Sequence, residues 1–126
     1  MAQAPNNTTS IKYDLEERTA KFGESIIKFA NTLQRNEITK PLITQVIKCA
    51  TSIGANYCEA DDAESKQDFR HKIGICKKEA RETKHFLRMF ATAVPEKKES
   101  IVVLWKEAKE LNLILNAIYK KVSSKN

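Results

Sequence analysis

Apolar residues recur along this chain at alternating steps of three and four, the spacing that lays a stripe along one face of an α-helix. The first stripe is Leu15, Thr19, Phe22, Ile26, Phe29 and Leu33. It follows Asp14-Leu-Glu-Glu17, a capping-box pattern in which the Asp14 carboxylate accepts a backbone N–H and Glu17 reaches back. The pattern predicts a helix from about Asp14 to about Arg35, after a polar stretch, 1–12, that reads as a disordered leader. Beyond the polar Gln34–Glu37, Thr39 reads as the cap of a second helix with Pro41 in its first turn, where a missing N–H costs nothing. The second stripe is Ile43, Val46, Ala50, Ile53, Tyr57 and Ala60. Asp61–Ser65 interrupts it, and Ser65 with Asp68 forms a weaker capping pair for a third helix with the stripe Phe69, Ile73, Cys76, Ala80, Thr83, Leu87 and Phe90. Val94-Pro95 ends that helix, because a residue before proline avoids helical geometry. A fourth helix begins between Pro95 and Ser100, with Ile101, Leu104, Ala108, Leu111, Leu115, Ile118 and Val122 inward and a frayed end at Ser123–Asn126. Four stripes joined by short connections predict an all-α, antiparallel up-down-up-down four-helix bundle over 13–123.

The second helix carries more than its stripe. Between Leu42 and Ala60 only Lys48 and Glu59 are charged, and Leu42, Ile47, Cys49, Gly54, Ala55 and Cys58 fill its flanks. A helix short of charge all round is covered on several sides. Small residues at Ser52 and Ala55 let a neighbouring backbone approach, and Gly54 does so at about 1 kcal/mol of helix propensity. Asn56 and Glu59, where buried, need partners. Lys72, Lys78 or Arg81 of the next helix are the expected ones. Ser52, Asn56 and Glu59 are therefore read as part of a structural polar network that fixes register.

Composition narrows the picture. At 126 residues, with 41% apolar and 30% charged, the chain suits one globular domain with its own core. No run of about 18 apolar residues occurs, and the first residues lack the basic-then-apolar order of a signal peptide, so a cytoplasmic protein without a membrane span is expected. Three cysteines without a C-x-x-C pair suit free thiols in a reducing compartment. The net charge of +6 is concentrated: from Ser65 to Phe90 eight Lys/Arg face three acids.

That excess makes a candidate site. Arg70, Lys77 and Lys84 flank the third stripe, with Arg81 and Arg88 just outward, one ridge able to follow a phosphate backbone. Its plain alternative is a solvated helix face. Tyr13, Tyr57 and Tyr119 show no stacking-platform pattern. On the opposite flank, Ile75, Phe86 and Met89 lie outside the stripe, as do Val102, Val103 and Leu113 of the fourth helix. This surplus of apolar groups predicts self-association through Ile75, Phe86 and Met89.

Catalytic and metal chemistry find little support. Glu82-Thr-Lys-His85 spells the E-x-x-H of di-iron bundles, but no second copy occurs and His85 falls outward. His71 is fourteen residues from His85, about 21 Å along a helix, too far to share an ion. No G-x-S-x-G or glycine-rich phosphate loop is present. No catalytic residue, metal or cofactor is expected.

Asp14-Leu15, Arg18-Thr19, Phe22, Gln45, Ser52-Ile-Gly-Ala-Asn-Tyr57, Glu59-Ala60, Ser65, Asp68-Phe69, Lys72, Lys78-Glu79-Ala80 and Glu82-Thr83 together resemble a bacterial family. Its members are four-helix bundle proteins encoded in intervening sequences of 23S rRNA genes and by homologous free-standing genes. By position the resemblance carries over Ser52, Asn56, Glu59, Lys72, Glu79 and Glu82, which it implies are structural and interface residues, not catalysts; Cys58 departs from the small residue often found there. The resemblance implies a bundle that assembles into a ring, typically a homopentamer. A related branch serves diversity-generating retroelements, where a basic pentameric barrel binds nucleic acid and a reverse transcriptase. The expected function is thus non-enzymatic binding of RNA or DNA, RNA favoured, through Arg70, Lys77, Arg81, Lys84 and Arg88. The alternative is a protein-interaction scaffold, such as an accessory subunit of a nucleic-acid-processing enzyme, with the basic face incidental.

Overall fold

The computed structural model describes residues 7–122, with side chains from Leu15 onward. The helices are α1 (Asn7–Asn31), α2 (Thr39–Asp61), α3 (Lys66–Ala93) and α4 (Lys98–Lys121), with a 3-10 turn at Pro95–Lys97 leading into α4. No strand occurs among the described residues. Every residue of the first two stripes is buried. In the third and fourth, only Phe69, Ile118 and Val122, at helix ends, are half-exposed.

Pairs across each interface show the helix directions, because as one residue number climbs its partner's falls. Between α1 and α2, Thr19 meets Gly54 and Gly23 meets Thr51. Between α2 and α3, Lys72 binds Glu59, the Cys76 thiol reaches the Ile53 carbonyl, and Thr83 meets Cys49. Between α3 and α4, Arg70 meets Tyr119, and Lys77 meets Asn112 and Asn116. Each sequential pair is antiparallel. The α2–α3 and α3–α4 interfaces are the most extensive, and α1 touches α4 least. Thus α3 is the central helix.

Buried polar groups are satisfied locally. The Thr19 hydroxyl donates to the Leu15 carbonyl at 2.8 Å, and Thr83 lies 2.8 Å from the Glu79 carbonyl and 3.2 Å from the Cys49 sulfur. No buried side-chain nitrogen or oxygen among the described residues lacks a partner. Phe29 and Phe90 meet edge to face across the core at 5.6 Å.

Three helix ends differ from expectation. α1 begins at Asn7, so 7–12 of the expected disordered leader are helical, while 1–6 lie outside the described residues. Neither Gly nor Pro falls between Pro5 and Gly23, so nothing stops a nucleated helix from extending past the capping box at Asp14. The same helix stops at Asn31, short of Arg35. At the start of α2 the capping acceptor is Asn36 rather than Thr39: its Oδ1 takes the Ile38 and Thr39 N–H groups, both at 2.9 Å. Thr39 is buried instead, its hydroxyl donating to the Gln34 carbonyl at 2.7 Å. Ser65 caps α3 as its sequence suggests, accepting the Asp68 N–H at 3.0 Å.

Candidate nucleic-acid interface

The basic ridge of α3 is one lip of a groove, and α4 supplies the other. Arg70, Lys77 and Lys84 recur every seven residues and so stay on one face of α3, inclined toward α4. On α4, Trp105, Asn112 and Tyr119 recur at the same interval. Antiparallel packing therefore sets Arg70 beside Tyr119, Lys77 beside Asn112, and Lys84 beside Trp105. The Arg70 guanidinium lies 3.7 Å from the Tyr119 ring centroid and Lys77 Nζ 4.6 Å from it. Lys84 and Lys109 stand 5.7 and 5.5 Å from the centre of Trp105.

The five basic residues do not have equal freedom. Arg70 Nε donates to the carbonyls of Tyr119 at 3.2 Å and Val122 at 2.8 Å, so the guanidinium caps the C-terminal end of α4. Lys77 Nζ donates to Asn116 Oδ1 at 3.2 Å, and Asn112 Nδ2 donates to the Lys77 carbonyl at 2.8 Å. Those two residues stitch α3 to α4. Arg81 and Arg88 are exposed and Lys84 is half-exposed. None of these three forms a salt bridge among the described residues. The acids of α3 (Asp68, Glu79, Glu82) and of α4 (Glu99, Glu107, Glu110) all fall, by helical spacing, away from both lips. The groove carries one sign of charge along its length.

The residues expected to form a polar network separate into independent contacts. Glu59 pairs with Lys72 at 2.6 Å, linking α2 to α3, and this bond raises the Lys72 pKa. Asn56 instead turns back on its own helix, Nδ2 donating to the Ser52 carbonyl at 2.9 Å. Gly54 serves the close approach: a Cβ there would stand 3.3 Å from Thr19 Oγ1 and 3.5 Å from the α1 backbone. Glu79 is half-buried toward α2, and burial raises its pKa, with Glu82 adding to the rise and Lys48 and Lys78 opposing it. Glu82 is exposed.

Of the residues expected at an oligomer interface, Phe86 packs against its own protomer's core, and Met89 lines a groove with Ile38, Pro41 and Leu42. Ile75 is half-buried. The strongly exposed apolar groups lie elsewhere: Val103 at 67%, Ile38 at 63% and Leu113 at 55%. His71 and His85 are both exposed. No three His, Cys, Asp or Glu side chains among the described residues are grouped to hold a metal. No described helix is long and apolar enough to cross a membrane.

Sequence reasoning missed the aromatic residues of the groove. Weighing tyrosines alone left out Trp105, and judging each helix separately hid the match. The available signal was the interval of fourteen residues from Arg70 to Lys84, repeated from Trp105 to Tyr119.

The family model described as 23S rRNA-intervening sequence protein matches residues 12–123. A crystal structure from Bacteroides thetaiotaomicron VPI-5482, of a protein with unknown function from the S23 ribosomal protein family, superposes with a TM-score of 0.74 and 27% identity. That similarity covers 84% of this chain and 98% of the other. No functionally curated protein matches the chain.

Proposed function

Because the chain belongs to the 23S rRNA-intervening sequence protein family, we propose that it is a non-enzymatic, self-associating bundle protein that binds nucleic acid, RNA foremost, along the α3–α4 groove. The observation that carries this reading is the segregation of charge. Lys77, Arg81, Lys84 and Arg88 lie along about 16 Å of α3 with no acid on either lip. A random solvated face mixes signs, whereas a lip of one sign attracts a polyanion. Arg70, bound to the end of α4, is a structural member of the ridge and leaves phosphate contact to the other four.

Reversing Arg81, Lys84 and Arg88 to Glu is expected to abolish binding of a labelled RNA in an anisotropy titration while the thermal melt stays close to wild type. Among the described residues those side chains form no ion pair, so reversing them breaks no salt bridge of the fold. Binding that survives the reversal would sink the proposal. A second reading, a scaffold for another protein with the basic face incidental, draws on exposed Val103 and Leu113 and would then take its place.

A further inference from the structure

We propose that the groove takes single-stranded nucleic acid, with one unpaired base stacked on Trp105 between the ammonium groups of Lys84 and Lys109. This rests on the nucleic-acid reading above and specifies which form of the polymer the groove receives. The two aromatic rings of the groove differ in availability. Tyr119 is closed: the Arg70 guanidinium lies 3.7 Å from its centroid, and its Cε1 stands 3.0 Å from where a Cβ on Gly74 would be. Arg70 is itself fixed by two carbonyls, so that lid does not lift without opening the end of α4.

Trp105 is held differently. Its indole is half-buried, packed on the core along one side with the remainder open to solvent. The two cations beside it stand 5.7 and 5.5 Å from the centroid, close to the outer limit of about 6 Å for a cation–π contact. Neither lysine forms an ion pair among the described residues. A nucleobase stacks on the part of the indole left open, and the two ammonium groups meet the phosphates before and after that base. Exposed Arg81 and Arg88 extend the phosphate track on the α3 side. An aromatic platform beside a basic track is the arrangement that holds single strands without reading their sequence. A duplex does not offer it a free base face.

Trp105 is the chain's single tryptophan, so tryptophan emission, excited where tyrosine does not absorb, reports on this position alone. The test titrates the full chain with a short oligouridine strand and with an RNA duplex of equal length, following both labelled-strand anisotropy and tryptophan emission. Emission is expected to be quenched in step with anisotropy for the single strand. Trp105→Leu is expected to weaken single-strand binding roughly five- to a hundredfold and to leave duplex binding unchanged. Trp105→Phe, which preserves a ring, is expected to recover most of the loss and covers the case in which the leucine variant fails to fold. Binding without change in emission, a folded Trp105→Leu protein that binds like wild type, or a duplex bound as tightly as the strand would overturn the inference. If Trp105→Leu is neutral while reversal of Arg81, Lys84 and Arg88 still abolishes binding, the stacked base is wrong and the basic groove stands. If neither change matters, both readings fall.

Discussion

Glu79 shows how a residue's role follows from what surrounds it rather than from its type. It sits half-buried on the α2 side of α3, and burial, then the neighbouring Glu82, raise its carboxyl pKa against the pull of Lys48 and Lys78. A carboxylate with a raised folded pKa contributes stability only while protonated, below its unfolded value, and loses it as pH rises through the folded value. Glu79→Gln is therefore expected to stabilise the protein at pH 7, with the gain disappearing as pH falls below about 4.3. Denaturant melts of both proteins across that range check the sign; an equal gain at acid and neutral pH would contradict it. The stripes were legible because burial follows a 3.6-residue period whatever the partner is. The fates of Asn56 and Thr39 were not, because a short polar side chain chooses between its own helix and a neighbour by distances of an ångström. Asn56 found the Ser52 carbonyl one turn back, and Asn36 took the capping role two residues nearer the turn than Ile38.

At the level of elements, the bundle is uneven. α3 is clasped between α2 and α4, while α1 leans on α2 and touches α4 least. The α1–α2 contact is tightest at Gly54, where a Cβ would stand 3.3 Å from Thr19 Oγ1, while at Gly23 a Cβ would meet Thr51 Cα at an ordinary packing distance of 3.6 Å. Arg18 bridges the thin α1–α4 seam with a two-pronged bond to Glu107, at 2.7 and 2.9 Å. Gly54→Leu is expected to push α1 outward, costing about 1–3 kcal/mol. In hydrogen exchange, α1 amides should quicken far more than those of α3, since local opening follows the thinnest packing. Uniform quickening of all four helices would contradict this division. The small residues around Gly54 announced a close approach, and that much could be read from the chain. That the approaching backbone was α1 at Thr19 depended on the pairing of elements, which no single stripe encodes.

The whole molecule presents two unlike surfaces on either flank of its central helix. On one, Phe86 packs on the chain's own core and Met89 lines the groove beside Ile38 and Leu42. Among the described residues the large apolar groups left in water are on the outside of α4, at the α1–α2 turn and on α1: Val102, Val103, Leu113, Ile38 and Ile27. Self-association is thus expected to cover those residues, and native mass spectrometry of the full chain should give the pentamer that the resemblance implies; a monomer at micromolar concentration would contradict it. On the other flank lies the basic groove, on which the account of function rests. Counterion release sets its most direct measurement: the slope of log Kobs against log salt concentration for a single-stranded RNA, taken for wild type and for the variant with Arg81, Lys84 and Arg88 changed to Gln. Each phosphate contact removed should flatten the slope by about 0.7, so the variant is expected to lose about 2 from the magnitude of the slope along with its affinity. Parallel slopes for the two proteins, or binding that ignores salt altogether, would show that the nucleic acid does not lie along the α3–α4 groove.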